Sequence, residues 1–107
     1  MENLDHIKFT EDEGVAVITL DRPKVNGLTP EAVAELRKTV HHCRYADSIR
    51  CVVITAAGRM FSAGADINVM IEAKDQIDVM TRKMAEVLHE SLSIIMRMEK
   101  PVITAVN

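Results

Sequence analysis

The chain has 107 residues, 48% of them hydrophobic and 27% charged, with a formal net charge of −3. That length suits one small domain, and the balance excludes a disordered chain. An acidic protein of this kind carries no basic field to draw nucleic acid or an anionic membrane surface, which leaves a neutral or small-molecule partner.

No run reaches the roughly 18 consecutive apolar residues that cross a bilayer, and the start MENLD lacks the basic and apolar regions of a secretory signal. A cytoplasmic location is therefore expected, with Cys43 and Cys51 as reduced thiols. In chain order, His6–Thr10 and Val15–Leu20 flank the acidic turn Glu11–Gly14 and predict an antiparallel hairpin. The acidic turn does not supply a cation cage and reads as solvated. VAVITL is apolar or small apart from Thr19, the pattern of a strand covered on both faces.

Thr29 as N-cap, Pro30 at the first helical position and Glu31 in the first turn predict a helix from 30 to 45. Val33, Leu36, Val40 and Cys43 fall on one buried stripe, with Glu35, Arg37, Lys38 and His41 largely outside. CVVIT at 51–55 is a buried strand, and the strand–helix–strand order implies a parallel pair with a right-handed crossover. A longer helix is expected from 75 to 98, with Ile77, Met80, Met84, Val87, Ser91, Ile94 and Met98 on one stripe. That stripe reads as a packing face, although a methionine-bearing stripe also suits an acyl chain. Lys100-Pro101 ends this helix, and VITAV reads as a third buried parallel strand.

Ligands of open parallel sheets sit beyond the carboxyl ends of the strands, where RMFSAGADINVM (59–70) follows the strand at 51–55. A side-chain catalyst there would need a base, a nucleophile or a metal ligand. Ser62 is the one candidate, and without a neighbouring histidine or the flanking glycines of a nucleophile elbow it reads as a turn residue. The remaining resource is the backbone. Gly64 permits unusual dihedrals and close approach, and Asp66 suits the N-cap of a short helix starting near Ile67. Asp66 and Glu72 are the nearest carboxylates, yet nothing in their spacing brings either to a reacting proton. His41-His42-Cys43 cannot converge on one metal ion, because consecutive helical side chains point about 100 degrees apart. His89 reads as a surface or interface residue.

Three blocks, DRPKVNGLTPEAVAEL, CVVITAAGRMFSAGADINVM and KPVITAVN, resemble in order and spacing the first part of the enoyl-CoA hydratase/isomerase family, the crotonase superfamily. The resemblance covers nearly the whole chain, and FSAGAD is its most specific element. It implies an acyl-CoA thioester site in which two backbone N–H groups polarise the thioester carbonyl, one of them supplied by Ala65. A preorganised donor of that kind contributes about 3 kcal/mol of transition-state stabilisation. The resemblance further places Ala63 and Ile67 along the CoA moiety, Asp66 at the turn that caps the next helix, and Lys24 and Val25 in a loop covering CoA. Lys24 there either neutralises a phosphate or remains a solvated charge. No cofactor is implied beyond coenzyme A as part of the substrate, and no metal.

By the same resemblance, the second donor is a glycine in a segment following Asn107, and the acid/base carboxylates lie further on. The expected fold is α/β, the N-terminal part of a crotonase-like ββα spiral, with residues 1–107 as a single truncated domain. Two readings follow: the amino-terminal portion of an acyl-CoA hydratase or isomerase, inactive by itself with enoyl-CoA hydration as the default activity, or a non-catalytic CoA-binding or protein-interaction module. Homo-oligomerisation is expected from an unpaired last strand. Superfamily reactions differ through side chains outside this sequence, so the acyl group is not read from it.

Overall fold

The left-handed backbone of two residues sets the register of the first hairpin. Glu13 and Gly14 adopt φ of +49° and +84°, the mirror-image turn whose twist matches paired strands. They join β1 (Ile7–Asp12) to β2 (Val15–Leu20), antiparallel from Ile7↔Leu20 to Asp12↔Val15. The turn is thus two residues rather than the four expected, because Glu11 and Asp12 continue the ladder opposite Ala16 and Val15. The computed structural model describes residues 4–22 and 24–107, so Pro23 and the start of MENLD lie outside the described residues.

Beyond the hairpin come α1 (Pro30–Tyr45), β3 (Cys51–Ala56), α2 (Ile67–Ala73), a single 3-10 turn at Lys74–Gln76, α3 (Ile77–Arg97) and β4 (Val102–Thr104). The sheet order is β1-β2-β3-β4, with β2, β3 and β4 parallel. Ala16, Ile18 and Leu20 stand opposite Val52, Ile54 and Ala56, and all six are buried. The alternate residues Val17, Thr19, Val53 and Thr55 are only half-buried. β2 is therefore covered on one face rather than both. Its apolar run reflects one packed face and a second, β-branched face that favours extended backbone without full burial.

The helix α1 covers that packed face. The Thr29 hydroxyl accepts from the Ala32 N–H at 3.0 Å, closing the first turn. Val33, Leu36, Val40 and Cys43 are all buried, as the spacing predicts. Each such side chain contributes about 1.5–3 kcal/mol on burial. At the other end the Lys100 ammonium donates to the carbonyls of Cys43 and Ala46 at 2.6 and 2.7 Å, satisfying last-turn acceptors and favouring the helix dipole. Burial pushes the Cys43 thiol up to about 11, against the opposing pull of Lys100, so it stays a neutral core group.

In α3 the expected stripe divides. Ser91 and Met98 are buried and Ile94 packs on the core, whereas Ile77 is 37% exposed. The helix runs 77–97 rather than 75–98, because Lys74–Gln76 forms a tighter turn led by Lys74 at φ +52°. β4 is parallel as expected but not buried, since it has a neighbour on one side only and Ile103 is 55% exposed. Replacing Ile18 by Ala should cost about 2–5 kcal/mol in urea unfolding. Thr29→Ala should cost about 1 kcal/mol and Thr29→Ser should restore it, since only the capping oxygen is at stake.

Candidate functional site

β2 and β3 are adjacent and parallel, so the loops leaving their carboxyl ends, residues 21–29 and 57–66, lie side by side. Backbone bonds stitch them together. Ala63 N–H donates to the Val25 carbonyl at 2.9 Å, Leu28 N–H to the Gly64 carbonyl at 2.8 Å, and Asp66 N–H to the Leu28 carbonyl at 2.8 Å. The last two make a one-residue parallel bridge between Leu28 and Ala65. Leu28 uses both its own N–H and its carbonyl in this bridge, whereas on the other side the bonds come from Gly64 and Asp66 and the Ala65 N–H is turned away. The Gly64 N–H is taken by the Ser62 hydroxyl at 3.1 Å, and that hydroxyl donates to the Asn26 carbonyl at 2.8 Å. Ser62 is thus the turn residue that its sequence context predicts. Among the described residues the Ala65 N–H has no acceptor.

Asn26 and Arg22 hold the two loops at this spacing. Asn26 is 3% exposed, sits at φ +50°, accepts from the Arg22 N–H at 2.8 Å, and donates to the carbonyls of Ala57 and Met60 at 2.9 Å each. The Arg22 guanidinium bonds to the Gly27 carbonyl and lies 3.1 Å from the Asp66 carboxylate. A Cβ on Gly27 would stand 3.1 Å from that carboxylate, so a larger residue would push the loops apart by a few tenths of an ångström. Gly64, at φ +98°, reverses the chain just before Ala65. Reading the sequence alone missed Arg22, Asn26 and Gly27. The Asn-Gly pair after Arg22 was the available signal, since it marks a left-handed turn.

Ala65 is exposed and lines an apolar cavity of about 250 Å³ together with Leu28, Gly64, Met70, Met84 and Leu88. Lys24 lines a separate cavity of about 250 Å³ with Asp21, Asn26, Ala57, Gly58 and Arg59. The other residues assigned to CoA from the sequence are scattered in role. Val25 and Ala63 are exposed and bonded to one another through the backbone. Ile67 is 70% exposed on the first turn of α2. The carboxylate of Asp66 is committed within the chain: one oxygen caps α2 by accepting from the Val69 N–H at 3.1 Å, and the other meets Arg22. The Val69 amide and the Arg22 side chain hold that carboxyl below the ordinary aspartate range. Glu72 is exposed on α2. His41 stacks near Tyr45 and His42 meets the edge of Phe9, so with Cys43 buried the three side chains diverge.

Residues 10–107 match the family described as enoyl-CoA hydratase/isomerase. The chain belongs to the enoyl-CoA hydratase/isomerase family. It is 32% identical over 103 residues to a trans-2-decenoyl-[acyl-carrier-protein] isomerase of Streptococcus mutans, covering 94% of this chain and 39% of that one. It is 31% identical over 104 residues to a probable enoyl-CoA hydratase of Bacillus subtilis, covering 97% of this chain and 40% of the relative. A crystal structure of a putative enoyl-CoA hydratase from Streptomyces coelicolor superposes over all of this chain and 40% of that one, with a TM-score of 0.86 at 28% identity. The mixed sheet and its helices are thus the crotonase fold, and the chain spans about two fifths of the length of these relatives.

The Arg22–Asp66 pair makes the loop geometry pH-dependent. Because the Asp66 carboxyl titrates lower in the folded chain than when unfolded, its contribution is present above the ordinary carboxylate range and is lost as pH falls through the lowered folded value. Urea midpoints measured from pH 6 down to about pH 2.5 should fall less steeply for Asp66→Asn than for the parent chain.

Proposed function

We propose that this chain contributes one backbone donor, the Ala65 N–H, to a site that polarises the carbonyl of an acyl thioester, as part of an enoyl-CoA hydratase- or isomerase-type enzyme. The observation that carries this reading is the amide accounting around Ala65. The amides of Ala63, Gly64 and Asp66 all have acceptors, while Ala65, between the last two, has none among the described residues and lines an apolar cavity. Ala65 is exposed at that cavity, so its amide is open to a ligand oxygen that enters it.

The chemistry follows from position and electrostatics. A thioester carbonyl set against Ala65 accepts a hydrogen bond that strengthens as negative charge gathers on oxygen during enolate formation or addition to a conjugated double bond. The small side chains of Ala63 and Ala65 leave the backbone accessible. Lys24, beside Arg59 on the separate cavity, offers positive charge to the phosphate-bearing end of the thioester carrier. Val25, Ala63 and Ile67 supply exposed apolar contact, and Asp66 holds the turn.

Catalysis needs more than one donor. A second amide and an acid/base carboxylate are supplied, in this reading, by residues after Asn107. The Asn107 amide donates to the Gly58 carbonyl at 2.7 Å, which sets the 105–107 segment beside the loop that carries Ala65. Hydration and isomerisation both fit this half-site. The same reading has the enzyme free of any cofactor other than the carrier, located in the cytoplasm, and self-associating through the outer edge of β4, where Ile103 and Val106 are 55% and 71% exposed.

Titration of the chain with decanoyl-CoA, followed by calorimetry, tests the central claim. Binding is expected for the parent chain, and Ala65→Pro should abolish it by deleting the donor. Since proline after Gly64 can also disturb the loop, an amide-to-ester replacement at residue 65 removes the hydrogen alone and should weaken binding at least tenfold. Unchanged affinity in a folded ester variant would sink the proposal. Crotonyl-CoA hydration by the isolated chain should be undetectable.

A further inference from the structure

Gly64 keeps its place through hydrogen bonds. It sits at φ +98°, and beyond its chain neighbours no described atom lies within 4 Å of the position a Cβ there would take, so that side of the backbone has no packing against it. A glycine so placed moves between left- and right-handed conformations at little cost. Each of its two polar groups is nevertheless tied. The N–H donates to the Ser62 hydroxyl at 3.1 Å, and the carbonyl accepts from the Leu28 N–H at 2.8 Å. The carbonyl of Gly64 and the N–H of Ala65 belong to one planar peptide, so whatever turns Gly64 turns the Ala65 donor with it.

The Ser62 hydroxyl is itself aimed. It donates to the Asn26 carbonyl at 2.8 Å, which leaves its lone pairs to the Gly64 amide. Asn26 is fixed in turn, buried and bonded through its side chain to the Arg22 N–H and to the carbonyls of Ala57 and Met60. Resting on the reading of Ala65 as a thioester donor, we propose that Ser62 is the residue that aims it. Through Gly64, the hydroxyl ties the Ala65 peptide to the buried Asn26 and so sets how strongly a bound thioester carbonyl is polarised. Ser62 is a positioning residue: it acts through the Gly64 backbone and does not touch the reacting atoms. The Leu28 bond on the Gly64 carbonyl adds to the effect, since a peptide whose carbonyl already accepts a bond donates its own N–H more strongly. Leu28 alone holds one side of a glycine pivot, and Ser62 holds the other.

The test is difference infrared spectroscopy of decanoyl-CoA, isotope-labelled at the thioester carbonyl and bound to the full 107-residue chain, with affinity measured by calorimetry on the same samples. The parent chain should give one narrow carbonyl band, displaced to lower frequency from that of the free thioester. Ser62→Ala should broaden this band and move it back toward the free position. Affinity should fall by less than in the ester replacement at residue 65, because an unaimed N–H still meets the carbonyl part of the time. Ser62→Thr keeps the hydroxyl, has room for its methyl on the apolar cavity that Ser62 borders, and should restore the narrow displaced band. Where circular dichroism shows Ser62→Ala to be unfolded, Ser62→Cys, of similar size and a weaker hydrogen-bonding group, carries the same test. A band like the parent's in folded Ser62→Ala or Ser62→Cys overturns the proposal, as does a folded Ser62→Thr that fails to restore it. In either case the Ala65 reading stands if the ester replacement at residue 65 abolishes the displacement. A displacement that survives the ester replacement removes both, as does absence of binding by the parent chain.

Discussion

The site depends on one backbone constraint, the single-residue bridge between Leu28 and Ala65. Its two hydrogen bonds, each 2.8 Å, run from the Leu28 amide to the Gly64 carbonyl and from the Asp66 amide to the Leu28 carbonyl, so Gly64 and Asp66 are the bonded residues on either side of Ala65. The bridge fixes the peptide plane at residue 65 without using its N–H. An amide pinned by its neighbours is rigid and unsatisfied at once, which is what a preorganised donor requires. A regular strand at this point would have spent that hydrogen on the ladder, and a regular helix on the carbonyl four residues back.

Several otherwise unrelated features are explained as supports of that bridge. Gly27 lets Asp66 come close, since a Cβ there would stand only 3.1–3.3 Å from its atoms. Asn26 turns left-handed, and its side-chain amide replaces the strand partners that Ala57 and Met60 lose on leaving β3. Arg22 neutralises the buried side of the turn by pairing with Asp66 while holding the Gly27 carbonyl. Stability is offset elsewhere: the packed face of β2 and β3 against α1 carries the burial, and the loops at the carboxyl ends carry the strained and unsatisfied groups. That division of labour is the usual one for parallel sheets.

Much of this was legible in the sequence, and the limits have physical causes. The bounds of α1 were readable because its start is encoded locally by Thr29, Pro30 and Glu31, and its stripe by a 3.6-residue period. The cap by Asp66 and the turn role of Ser62 were readable for the same reason, as both act within three residues. The contact between Arg22 and Asp66, 44 residues apart, has no local signature. Nor has the exposure of β4: an edge strand and a buried one share the pattern VIT, and only the number of neighbours separates them. The resemblance to the family pointed to Ala65, but the reason its amide has no acceptor among the described residues, the Leu28 bridge, could come only from three-dimensional pairing.

The long helix α3 makes the same point about periodicity. Its apolar stripe predicts a packing face, and toward its carboxyl end it is one, with Ile94 on the core and Met98 buried in it. Nearer the amino end Met84, which is itself buried, also borders the cavity beside Ala65, with Leu88 next to the stripe. An apolar stripe tells which way a helix faces and not whether protein or ligand fills the space it faces. Methionine suits either use, since its flexible thioether adapts to a neighbouring side chain or to a mobile hydrocarbon. What separates the two halves is the loop at 57–66: where its Gly64-Ala65 end borders α3, close packing gives way to an apolar cavity.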